Sequence, residues 1–103
     1  MAVTPKPGTN TAVAVGGTPV VAIPANPNGG FITNPVSASD QGIVDAEVLY
    51  VNPVGPPGSS PGAGNGATFV LYPGQTWTVI AGQTSPTYVN AASDGHDFSA
   101  VYW

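Results

Sequence analysis

The stretch Ala67–Ile80, ATFVLYPGQTWTVI, decides how this chain is read. Two runs rich in β-branched and aromatic residues, Ala67 to Tyr72 and Gln75 to Ile80, are separated by Pro73-Gly74. Such side chains lose rotamer freedom in a helix and pack well on a pleated surface, so both runs are expected to be strands. Proline presets φ at the second position of a turn and glycine tolerates positive φ at the third, which predicts a type II turn. That turn suits a two-residue hairpin less well than the primed types, an argument for placing the two strands in different sheets.

The same texture continues to the end of the chain. Thr87 to Ala92 and Phe98 to Trp103 read as strands, with Ser93-Asp94-Gly95 turning between them. Phe98, Ala100 and Tyr102 share one face of the last strand, Val101 and Trp103 the other, and Trp103 is expected to pack within the chain. Upstream, Ile43 to Val51 is the longest strand candidate. Its wholly apolar set Val44, Ala46, Val48 and Tyr50 is expected to face the core, leaving Asp45, Glu47, Leu49 and Val51 opposite. Phe31-Ile32-Thr33 is a short strand ended by Asn34-Pro35, and Val36 to Gly42 reads as loop. TAVAV (Thr11–Val15) and PVVAI (Pro19–Ile23) flank Gly16-Gly17-Thr18, which signals a hairpin.

Composition agrees. Val outnumbers Leu 14 to 2 and ten Thr join it, while 14 Gly and 12 Pro break any long helix among the 103 residues. Seven or eight short strands with turn signals every 8 to 12 residues predict one all-β domain, a β-sandwich or a small barrel, over residues 11–103. Aromatic anchors for its core are expected at Phe31, Tyr50, Phe69, Tyr72, Trp77, Tyr88, Phe98 and Tyr102. Residues 1–10, with Pro5, Pro7 and Gly8, form an extended N-terminal arm that is disordered or lies on a neighbouring subunit. Asn52 to Gly66, NPVGPPGSSPGAGNG, is a long Gly/Pro loop, and loops of that length are functional or disordered.

Charge excludes several function classes. Lys6 is the sole cation, the net charge is −4, and charged residues make up 6% of the chain against a usual share of about 25%. No basic patch exists to neutralise a phosphate backbone or an anionic bilayer, so neither nucleic acid nor membrane is an expected partner. With no Cys there is no thiolate metal site and no Cys nucleophile. The N-terminus lacks the basic and apolar regions of a secretory signal, which predicts a soluble, unexported chain.

Candidate chemistry is sparse. His96 is the sole histidine, and Asp94 and Asp97 beside it could orient its ring, but no G-x-S-x-G elbow accompanies them. Asp-Gly-His-Asp is therefore expected to be a polar turn, with Asp94 bonding locally before Gly95. Asp45 and Glu47, two apart on one strand face, are expected to form a solvated face or neighbour contacts and not a carboxylate pair of the hydrolytic kind. Neither NPNGG nor GAGNG carries the Lys of a phosphate-binding loop. The expectation is a protein without catalytic activity, cofactor or metal.

The run NPNGGFITNP, the segment AEVLYVNPVGPPG and the tail GNGATFVLYPGQTWTVIAGQTSPTYVNAASDGHDFSAVYW together resemble the small all-β virion proteins of tailed bacteriophages. These are head decoration (cement) and related accessory proteins. The resemblance covers about Gly16 to Trp103 and lies in short Gly/Pro-punctuated strands with PGQTW at a turn. It implies a structural protein on the capsid exterior, made in the host cytoplasm, binding the major capsid protein as a homo-oligomer with a trimer favoured. The family has no catalytic residues to carry over. Candidate partner contacts are Val3, Pro5, Lys6 and Pro7 in the arm and Pro56, Pro57 and Pro61 in the long loop. A single Lys departs from decoration proteins that grip acidic capsid surfaces and favours hydrogen bonding and apolar packing instead. The other reading is a head-fibre or spike module whose exposed loops contact a host-surface glycan.

Overall fold

A computed structural model describes residues 4–35, 47–55 and 66–103. These residues form ten short strands and no helix: β1 Lys6–Pro7, β2 Ala12–Val13, β3 Val20–Ile23, β4 Gly30–Thr33, β5 Leu49–Asn52, β6 Phe69–Leu71, β7 Thr76–Val79, β8 Thr87–Asn90, β9 His96–Asp97 and β10 Ser99–Tyr102. All pairings are antiparallel. One four-stranded sheet runs β1-β10-β4-β7, another β3-β8-β5-β6, and β2 pairs β9 as a two-stranded ribbon. The sequence reading undercounts because β1 and β9 are only two residues long; β2 lies within the expected run Thr11–Val15.

One apolar cluster joins the sheets. Ile32 and Val79 come from the first sheet, Ile23, Leu49, Val51 and Val89 from the other, and Phe98 from the link between β9 and β10. The core is thus mostly aliphatic. Of the expected aromatic anchors only Phe98 is buried, while Phe31, Phe69 and Tyr72 are exposed. Small β-branched residues fill the narrow space between short strands, and the larger rings sit at its rim.

The Pro73-Gly74 turn forms as expected. The Gln75 amide donates to Tyr72 O at 2.9 Å, and Gly74 has φ 86°, the value that a type II turn requires at its third position. It hands the chain from β6 in one sheet to β7 in the other. The expected hairpin at Gly16-Gly17 does not form. Thr18 N does bond back to Val15 O at 3.0 Å, but β2 pairs β9 while β3 pairs β8. A tight turn alone does not make a hairpin when each flanking run finds a better distant partner.

The face of β5 is the reverse of the expected one. Leu49 and Val51 are fully buried and Tyr50 is half-buried. Register agrees: Leu49 lies opposite buried Leu71 and Val51 opposite buried Val89, so the core sits on their side. Val44, Asp45 and Ala46 lie outside the described residues, as do Val36–Gly42.

The described part of the arm is extended, but it lies on its own domain. Lys6 pairs Tyr102 and Pro7 pairs Val101, with the Lys6 ammonium 5.7 Å from the centre of the Tyr102 ring. Gly8 N donates to Ala100 O at 2.9 Å and Thr9 N to Ala22 O at 3.0 Å, so two successive residues bond to both four-stranded sheets. A Cβ on Gly8 would come within 2.6 Å of both Ala100 Cβ and Ala22 O, so only glycine fits the crossing. The side chains of Lys6 and Pro7 are exposed, in keeping with the lack of apolar residues. Backbone pairing needs no apolar side chains, which is why composition did not reveal it.

Candidate functional site

The densest polar arrangement is built around Asn34, immediately after β4. Its Nδ2 donates to Leu71 O at 2.8 Å and to Glu47 O at 3.0 Å. Its backbone N donates to Gln75 O at 3.2 Å and its carbonyl accepts from Gly74 N at 2.8 Å. The remaining amide oxygen lies 2.9 Å from His96 Nε2. Because Nδ2 faces two carbonyls, Oδ1 must face the ring, and His96 therefore carries its proton on Nε2.

The other ring nitrogen has no hydrogen-bond partner. His96 is 3% exposed, and its Nδ1 is buried 3.9 Å from Glu47 Oε1, beyond hydrogen-bonding distance. Glu47 Oε1 instead accepts from Ser93 N at 2.9 Å. Burial pushes the His96 pKa below the usual 6.5, and the negative charges of Glu47 and Asp97 oppose the shift. Desolvation thus disfavours the charged ring.

Glu47 does not sit on the solvated face expected for it. Its carboxylate lies 3.9 Å from the His96 ring on β9. Asp45 lies outside the described residues. Asp94 bonds at long range and not through a local turn: its Oδ1 accepts from Gly16 N at 2.7 Å. Asp97 is exposed. The residue that bonds His96 is therefore Asn34, with the Glu47 carboxylate 3.9 Å from the other ring nitrogen, and not its neighbours in sequence. Asn34 carried no signal beyond Asn-Pro punctuation, since its role depends on contacts made up to 62 residues away.

The arrangement ties β4, β9, the approach to β5 and the β6–β7 turn together, and it shields its one basic nitrogen from solvent. Among the described residues no group of three His, Cys, Asp or Glu side chains is placed to hold a metal ion.

The loop after β5 starts in a fixed conformation. Asn52 Oδ1 accepts from Val54 N at 2.8 Å and Gly55 N at 3.0 Å, and Ser85 Oγ donates to Val54 O at 3.0 Å. The long loop read from Asn52 onward is tied at its start, through Gly55, because an Asn side chain can replace backbone partners in a turn. Pro56, Pro57 and Pro61 lie outside the described residues, as does Val3; Pro5 is exposed. At the far end of the chain, Trp103 packs edge-on against Phe31 with ring centres 5.8 Å apart.

Open strand edges form the second notable surface. Thr9 Oγ1 and Asn10 Nδ2 both donate to Val21 O on β3, at 2.7 and 2.8 Å, and β1 covers one side of β10. Among the described residues, no strand pairs with the outer edges of β6 and β7. Phe69 and Trp77 meet there with ring centres 5.0 Å apart, and Phe69, Tyr72 and Ile80 are exposed.

Comparison of the chain with protein-family models, curated proteins and solved structures finds no match. Its functional reading therefore rests on the chemistry of its own residues.

Proposed function

We propose that this chain is a non-enzymatic structural component of a virus particle, decorating or reinforcing an icosahedral phage capsid through non-covalent contacts with the major capsid protein. The observation that carries the reading is the surface. Large apolar side chains stand exposed, Ile80 at 73% and Val54 at 61%, on a chain with one cation and few anions. A free monomer usually relies on mixed surface charge for solubility. A surface of Thr, Ser and Asn with so few charges suits a protein much of whose exterior is covered by neighbours.

The fold fits that role. We read the two four-stranded sheets sharing one apolar cluster as a β-sandwich of the jelly-roll-like or β-tulip kind. Its polar tie at Asn34 supports stiffness and not turnover: a general base must reach a substrate proton, and His96 is buried. A homo-oligomer on the capsid exterior completes the reading.

Reconstitution tests it. Purified protein added to phage heads lacking it should bind to saturation at a fixed ratio to the capsid subunit and raise the temperature at which heads release DNA. Absence of saturable binding would refute the proposal. A glycan-binding module is the alternative reading, favoured by the pairing of exposed Phe69 with half-buried Trp77. Glycan-array binding that is lost in Trp77→Ala would select it.

A further inference from the structure

We propose that Asn28 is a site of spontaneous covalent modification: its carboxamide closes onto the Gly29 nitrogen, and the ring reopens with water as aspartate or isoaspartate, which unlatches Trp103. The chemistry needs a side-chain carbonyl carbon free to turn and a following amide that is not already engaged. It also needs room around that nitrogen, which a glycine without a Cβ supplies.

Comparison of every described Asn and Asp singles out Asn28. Asn26, Asn34 and Asn52 precede Pro27, Pro35 and Pro53, whose nitrogens carry no proton to lose. Asn10 Nδ2 donates to Val21 O at 2.8 Å, and Asn90 is buried with its Oδ1 accepting from Ala91 N at 2.8 Å. Asp94-Gly95 has a suitable sequence, but Asp94 Oδ1 accepts from Gly16 N at 2.7 Å and Gly95 N donates to Val13 O at 2.8 Å. After Asp97, Phe98 N donates to Thr11 O at 3.0 Å. Asn28 is exposed, and among the described residues no group bonds its carboxamide or the Gly29 amide.

The Gly29 nitrogen gives up its proton and bonds Asn28 Cγ, while the Cγ–Nδ2 bond breaks and Nδ2 leaves as ammonia. Water then opens the succinimide. Opening at Cγ leaves aspartate; opening at the main-chain carbonyl carbon leaves isoaspartate, whose main chain runs through Cβ and Cγ. The net exchange is one water taken up and one ammonia released. Either product adds a negative charge, and isoaspartate also lengthens the main chain by one carbon, about 1.5 Å.

That length matters at Trp103. Asn28 N donates to Trp103 O at 2.6 Å and Trp103 N donates to Gly29 O at 3.1 Å, so two bonds to one residue bracket the reacting peptide unit. An extra carbon between them prevents both from forming together. The Trp103 indole rests on Gly29, where a Cβ would come within 3.0 Å of the ring, and packs edge-on against Phe31. Both contacts loosen when the bracket opens.

Peptide mapping by mass spectrometry tests this on the intact protein incubated at mildly alkaline pH, where the amide proton is lost more readily. Asn28 should convert to aspartate and isoaspartate at least about tenfold faster than Asn10 or Asn90. The sequence has another Asn-Gly pair, Asn65-Gly66, whose Asn lies outside the described residues; mapping reads the two pairs separately. Asn28→Gln, which would have to close a larger ring, should stay intact. With Trp77→Phe leaving Trp103 as the only tryptophan, isoaspartate formation should shift its fluorescence to longer wavelength, and adding Asn28→Gln should abolish the shift. Should Trp77→Phe not fold, hydrogen exchange decides: protection of the Trp103 amide should fall in the isoaspartate form of the wild type. Conversion of Asn28 no faster than that of Asn10, or a Trp103 signal unchanged in the isoaspartate form, would overturn the proposal.

Discussion

His96 Nε2 donates to Asn34 Oδ1 across 2.9 Å and 62 residues of sequence, and this bond joins the last ribbon of the fold to the end of β4. Asn34 makes four further bonds, to Leu71, Glu47, Gln75 and Gly74. Truncating its side chain leaves buried groups on three segments unpaired, each costing about 1–3 kcal/mol. Asn34→Ala should therefore lower stability by about 3 kcal/mol or more in chemical denaturation. Asn34→Asp should also destabilise, because it replaces the Nδ2 donor with an acceptor facing two carbonyls. A loss under 1 kcal/mol for Asn34→Ala would show that water replaces these bonds.

Stability should depend on pH through His96. Its folded pKa lies below 6.5, so the unfolded chain binds more protons once the pH falls past that value. The stability it contributes is complete above about pH 6.5 and is lost progressively toward the lower folded pKa. Glu47 favours the charged ring, so Glu47→Gln should depress the folded pKa further and enlarge the loss. Urea melts between pH 7.5 and 5 check both statements. A flat profile for the wild type, or a smaller loss in Glu47→Gln, would contradict them.

The arm should act as part of the body. Removing residues 1–10 takes away β1 and the bonds from Gly8, Thr9 and Asn10 to Ala100, Ala22 and Val21. At roughly 1 kcal/mol per net hydrogen bond, the truncated chain should lose a few kcal/mol. An unchanged melting temperature would mean that these contacts are not formed in solution.

Gly74→Ala should cost about 1 kcal/mol, because φ 86° is costly for any residue with a Cβ. The pairing of β6 with β5 and of β7 with β4 should survive, since it is held by registers on either side of the turn. Cross-strand NOEs in the variant check this.

These comparisons show what alternation and turn chemistry encode. Pro73-Gly74 was legible because the conformational needs of a type II turn are local, and a turn ill-suited to a hairpin correctly separated β6 from β7. Alternation revealed that Leu49 and Val51 share a face but not that this face is inside. That choice belongs to Leu71 and Val89, far away in sequence. The Gly16-Gly17 turn formed without its hairpin for the same reason. His96 could be singled out by its rarity, yet its partners could not, because Asn34 and Glu47 reach it only through sheet pairing.

The most direct test of the central claim, that this is an assembled structural protein of a phage head, is quantitative mass spectrometry of virions banded on a density gradient. The account predicts that the chain co-bands with the major capsid protein at a fixed ratio that withstands repeated banding. A chain left wholly in the soluble fraction, with banded particles containing none of it, would contradict the account.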